Sequence, residues 1–111
     1  MRDGARVITV QGAFDMVLAP RVERALREAV ADPGQALVVD LSECEFIDST
    51  GLTTLLSAAK ALPDDQIPIL LASPPSSEVR RMLDLVGISL SVSTFDTVGD
   101  AIAASSSADG D

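Results

Sequence analysis

The sequence predicts an α/β fold: a single domain on a four-stranded, mainly parallel sheet. Apolar segments of strand length alternate with amphipathic segments of about ten residues, which is the pattern of βαβ units. Ala36-Leu37-Val38-Val39-Asp40-Leu41 is an apolar run of the kind that fills a strand buried on both faces. A chain of 111 residues suffices for one core.

The elements follow in order. Arg6 to Gln11 alternates into a strand carrying Val7, Ile8 and Val10, and Gly12 ends it. Pro20 suits the first position of a helix. From there Val22, Ala25, Leu26, Ala29 and Val30 form one stripe, and Glu23–Arg27 is an i, i+4 pair in the favourable order. Asp32-Pro33-Gly34 stops that helix. The second strand is Ala36 to Asp40 or Leu41. Phe46-Ile47 reads as the end of a buried strand that passes straight into a helix from about Thr50 to Ala61, with Leu52, Leu55, Leu56 and Ala59 on one stripe. Pro63-Asp64-Asp65 breaks it. Ile69 to Ala72 is the third strand. Ser77 caps a third helix with Val79, Met82, Leu83 and Val86 inward, and Gly87 follows its end. The fourth strand lies within Leu90 to Phe95. Asp96 or Thr97 then caps a short helix through Val98, Ala101 and Ile102. The domain is expected to span 1–104, and the small polar residues 105–111 to form a disordered tail.

Composition narrows the function. The net charge is −9 and the isoelectric point near 4.2, which argues against nucleic acid and against an anionic membrane surface. No apolar run approaches the ~20 residues of a spanning helix, and Met1-Arg2-Asp3-Gly4 leads directly into a strand pattern with no signal-peptide core. The single cysteine, Cys44, has no internal disulfide partner, so the expected setting is the reduced cytoplasm. Flanked by Glu43 and Glu45, it reads as structural or incidental. The absence of histidine removes the usual Ser-His-Asp and Cys-His arrangements and most zinc and iron ligand sets. No glycine-rich phosphate loop appears, and neither Tyr nor Trp is present to build an aromatic cage. The chain is read as a non-enzyme without cofactor or metal. Asp64-Asp65 is an exposed loop pair of the kind that seldom binds a cation.

Asp48-Ser49-Thr50 lies where the second helix begins. The first amides of a helix lack internal partners, and the helix dipole is positive there. A hydroxyl at that point either caps the helix or carries a phosphate that those amides hold. As a local pattern, an ordinary cap is the simpler reading. Gly51 is unexpected in a first turn, where it costs roughly 1 kcal/mol relative to Ala.

Gly12-Ala13-Phe14-Asp15 after a strand, then Val38-Val39-Asp40-Leu41, then Phe46-Ile47-Asp48-Ser49-Thr50-Gly51-Leu52, then Val79 to Ile88 together resemble the STAS domain. The similarity is greatest to the stand-alone bacterial anti-sigma factor antagonists and covers about residues 5 to 104. It implies helices mostly on one face of the sheet. It implies Ser49, directly after the aspartate, as phosphate acceptor. It also implies partner switching in transcription regulation. The unmodified protein binds an anti-sigma factor, usually a serine kinase; phosphorylation of Ser49 releases it, and a PP2C-type phosphatase resets the cycle. The family often has an extra N-terminal strand beside the counterpart of Arg6–Gln11. Few residues precede Arg6 here, which leaves an edge open to weak homo-oligomer pairing.

On that resemblance the partner-binding residues are Asp15, Asp48, Thr50, Gly51, Thr53 and Ser57. Ser49, Thr53, Ser57 and Lys60 share one helix face beside the leucine stripe, either a solvated face or a docking face. Gly51 is expected to let a partner approach Ser49. Asp15 is expected near Asp48, either as a turn or cap residue or as an acidic contributor to recognition. Arg80 and Arg81 are read as solvated. The rival reading is a STAS accessory or scaffold subunit, of a lipid-transport ATP-binding-cassette complex or a stressosome, without a phosphoswitch.

Overall fold

The computed structural model describes residues 4–31, 36–61, 69–88 and 92–109. Six strands and four helices follow one another along them: β1 (Ala5–Thr9), β2 (Gly12–Phe14), α1 (Ala19–Ala31), β3 (Ala36–Asp40), β4 (Cys44–Ile47), α2 (Ser49–Ala61), β5 (Ile69–Ala72), α3 (Glu78–Leu85), β6 (Ser93–Phe95) and α4 (Val98–Asp109). The expected stops at Asp32-Pro33-Gly34 and Pro63-Asp64-Asp65, the residues before Gly4 and the start expected for the last strand lie outside the described residues.

The main sheet has the order β1-β3-β5-β6, with every pair parallel. Period-two alternation divides the core into two layers. Leu37, Val39, Ile69 and Leu71 face one way and meet Val22 and Leu26 of α1, Leu55 of α2, and Val79 and Leu83 of α3. Ala36, Val38, Leu70 and Ala72 face the other way and meet Ala101 and Ile102 of α4. Three helices thus cover one face and one the other. Ala36 to Val39 and Leu41 are fully buried, as expected of a strand covered on both sides.

Gly12 does not end the chain's extended path. It has a φ of +80°, which a side chain rarely tolerates, and it turns the backbone from β1 into β2. β2 pairs with β4 in a separate two-stranded parallel ribbon beside the main sheet. The sequence shows one strand in the first region because Val10 and Phe14 are both buried on either side of the turn.

Ser77 caps α3 as expected, its Oγ accepting the Arg80 N–H at 3.1 Å, and Gly87 takes a φ of +70° just past the helix. The inward stripe of α3 is narrower than the sequence suggests. Val79 and Leu83 are buried, but Met82 and Val86 are 37% and 54% exposed. An eight-residue helix ending at Leu85 presents one i, i+4 pair to the core, and its flanks stay in water. Thr97 caps α4, its Oγ1 accepting the Asp100 N–H at 3.0 Å. That helix continues past the expected boundary at residue 104 to Asp109. Ser105, one turn beyond Ala101, is buried, and its hydroxyl donates to the Ile102 carbonyl at 2.9 Å, so a small polar residue remains on the packed side.

Candidate functional site

The β2–β4 ribbon delivers the serine. Phe14 is opposite Ile47, and the Asp48 N–H donates to the Phe14 carbonyl at 3.3 Å. Asp15 and Asp48 each follow a paired strand residue, so their loops leave from the same end of the ribbon, as expected. The Asp15 carboxylate accepts the N–H groups of Val17 and Leu18 at 3.0 and 3.2 Å, and its carbonyl accepts the Ala19 N–H at 2.8 Å. It therefore builds the turn into α1.

Asp48 is the N-cap of α2. Its Oδ1 accepts the Gly51 N–H at 3.0 Å, and its carbonyl accepts the Leu52 N–H at 3.0 Å. Ser49 is the first residue of the helix and exposed, and its hydroxyl has no hydrogen bond among the described residues. Capping by Ser49 is thus corrected: the aspartate does it. Gly51 is buried and faces inward. A Cβ there would lie 2.6 Å from the Phe14 carbonyl oxygen and 2.8 Å from Ile47 Cγ1. The glycine lets α2 pack against the ribbon, and the room it makes is used inside the molecule instead of by an approaching partner.

A groove of about 640 Å³ runs between α1 and α2. On α2 it is lined by Ser49, Thr50, Thr53 and Ser57, which are exposed. On the other side are Met16, Pro20, Glu23 and Arg27. Glu23 and Arg27 form the expected ion pair along α1. Lys60 is exposed but does not line the groove. Sequence reasoning missed the apolar residues near this end of the molecule: Met16 is 71% exposed, Val17 79% and Phe46 51%. Met16 and Val17 directly follow Asp15, and two large apolar residues in the turn before α1 were the available signal.

Cys44 faces the core, and burial pushes its thiol above the ordinary value, with a smaller push from the Glu45 carboxylate. No group of three or more His, Cys, Asp or Glu side chains placed to hold a metal ion occurs among the described residues. None of their helices is long and apolar enough to cross a membrane.

The profile of the STAS domain matches residues 1–101. The chain belongs to that family. It is 33% identical over 100 residues to the anti-sigma-F factor antagonist RsfB of Mycobacterium tuberculosis, covering 90% of this chain and 80% of the relative. It is 34% identical over 82 residues to the anti-sigma-B factor antagonist of Listeria monocytogenes, covering 74% of this chain and 71% of that one. The crystal structure of an anti-sigma factor antagonist from Mycobacterium paratuberculosis superposes with a TM-score of 0.80 at 35% identity, over 94% of this chain and 87% of the other. This STAS chain therefore shares its fold, and 33% to 35% of its aligned residues, with proteins named for antagonising anti-sigma factors.

Proposed function

We propose that this chain is a cytoplasmic anti-sigma factor antagonist that binds an anti-sigma factor in its unphosphorylated form and is released when Ser49 is phosphorylated. The observation that carries the reading is the division of labour at the start of α2. Asp48 caps the helix, and the exposed Ser49 hydroxyl, without a hydrogen bond among the described residues, lines the groove between α1 and α2. The names of the relatives support the partner class.

The anti-sigma factor is itself the serine kinase in this reading. The Ser49 O–H bond breaks and its oxygen bonds the γ-phosphorus of ATP. ADP leaves, and the proton passes to a base of the kinase. The product carries about −1.5 to −2 charges where a neutral hydroxyl stood. The helix amides tolerate that charge within the folded chain, but Asp48 beside it adds to the negative field met by a surface shaped for a neutral serine. A PP2C-type phosphatase restores the hydroxyl. Asp15, Asp48, Thr50, Thr53 and Ser57 surround the docking point, and Gly51 acts by setting the helix in place.

Purified chain incubated with the anti-sigma kinase of the same genome and ATP should gain one phosphate, mapped by mass spectrometry to Ser49. Phosphate confined to Thr50, the next exposed hydroxyl, would overturn the assignment.

A further inference from the structure

We propose that Phe46 is an apolar anchor by which this chain docks into a pocket of its anti-sigma factor, an apolar pocket rimmed by Lys and Arg. The inference rests on the functional reading above and adds to it a residue and a partner chemistry. Along a regular strand side chains alternate between faces. With Cys44 facing the core, Phe46 two positions on would face the core as well. The ladder between β2 and β4 slips instead: Gly12 is opposite Cys44, but Ala13 is opposite Phe46. Glu45 is the additional residue of a bulge, so Cys44 and Ile47 are both buried and the two residues between them are exposed. Bulges of this kind re-aim side chains and concentrate beside functional sites.

The result is an aromatic ring aimed at water. Of the three phenylalanines, Phe14 is fully buried and Phe95 packs against the second core layer, while Phe46 is 51% exposed. A ring held in solvent forgoes the burial that a core position would give it, and large aromatic side chains are the residues that most often anchor the centre of an interface. Phe46 stands three positions before Ser49 on the strand that delivers the serine. One partner surface can therefore cover both.

Charge specifies the rim. Glu43 and Glu45, both exposed, precede the ring in sequence, and Asp48 follows it two positions on. No Lys or Arg occurs between Arg27 and Lys60. The cations of α3, which packs against β4, are engaged locally: Arg80 with Asp84 and Asp96, and Arg81 with Glu78. The complement of an acidic border around a phenyl ring is an apolar pocket with a basic border.

Titration calorimetry against the anti-sigma factor, with thermal melts and size-exclusion chromatography of each variant, tests the anchor. Phe46→Ala should bind at least tenfold more weakly than the parent while melting at the same temperature, and Phe46→Leu should stay within about threefold. Glu45→Lys should weaken binding at low salt and flatten its salt dependence; this variant keeps the test decisive if Phe46→Ala melts lower. Parent-like affinity in Phe46→Ala, or in Glu45→Lys at low salt, overturns the anchor and leaves the functional reading standing. A parent that is dimeric and becomes monomeric in Phe46→Ala, with partner affinity unchanged, overturns it in favour of a second copy of this chain. A parent that binds no anti-sigma factor overturns the functional reading and the anchor together.

Discussion

The Asp48 carboxylate accepts the Gly51 N–H at 3.0 Å, and this bond separates the capping residue from its exposed neighbour Ser49. Cap and candidate switch occupy adjacent positions with different duties, so substitutions at the two should have different consequences.

Asp48→Ala should destabilise the fold by about 0.5–2 kcal/mol, the usual cost of losing an N-cap. Ser49→Ala removes an exposed hydroxyl with no hydrogen bond among the described residues, and should change stability by less than about 0.5 kcal/mol. Urea denaturation of the two variants measures the contrast. Equal losses would mean that the serine shares the capping.

Gly51→Ala would improve helix propensity on an exposed helix. Here the new methyl meets the Phe14 carbonyl oxygen at 2.6 Å, a backbone atom that the β2–β4 ribbon holds in place. The clash should outweigh the roughly 1 kcal/mol of propensity gained and leave a net loss, since overpacking typically costs about 1–3 kcal/mol. A thermal midpoint at or above that of the parent would show that α2 can shift away from the ribbon.

Arg80 binds the ends of two strands to α3. Its Nη1 donates to the carbonyl of the fully buried Ser73 at 2.8 Å and to Asp96 Oδ1 at 3.0 Å. Its Nε lies 3.5 Å from Asp84 Oδ1, an ion pair not aligned as a hydrogen bond. The guanidinium is largely covered, so Arg80→Met should cost about 1–3 kcal/mol by leaving the Ser73 carbonyl without this donor. Chemical denaturation decides it, and Arg81→Met, at an exposed position, is the control expected to be neutral.

Burial raises the Cys44 thiol above its ordinary value, with Glu45 adding to the shift and backbone hydrogen bonds at Phe46 and Phe14 opposing it. The unfolded chain then ionises first as pH rises. Above about pH 8.5 the unfolded state has lost a proton that the folded state keeps, so stability falls with pH there and is unaffected by this group below. Unfolding measured at pH 7 and pH 9.5 should show a smaller alkaline loss in Cys44→Ala than in the parent. The native thiol should also resist alkylation at pH 8.

Much of this molecule is legible in its sequence because local signals agree with tertiary needs. The run from Ala36 to Leu41 is apolar at nearly every position because both faces of β3 are covered. Ser77, Thr97 and Gly87 mark helix ends through residue chemistry that acts within a few positions. The ribbon was not legible. Gly12 turns the chain between two sheets, and that turn and the bulge at Glu45 depend on pairing across about thirty residues, which periodicity within one strand does not report. Phe46 consequently reads as core and lies outside. At the site, Asp-Ser-Thr marks a helix start correctly but does not say which side chain caps. The carboxylate reaches the Gly51 amide, and the serine hydroxyl has no hydrogen bond among the described residues.

The switch proposed for Ser49 requires a partner that accepts a neutral side chain at position 49 and rejects a charged one. Titration calorimetry of the parent, Ser49→Ala and Ser49→Asp against the anti-sigma factor measures this. Both variants should fold like the parent, since position 49 is exposed at the positive end of α2. Ser49→Ala should bind as the parent does. Ser49→Asp should bind at least tenfold more weakly, a loss of about 1.4 kcal/mol or more. A folded Ser49→Asp variant that binds as tightly as the parent would contradict the claim.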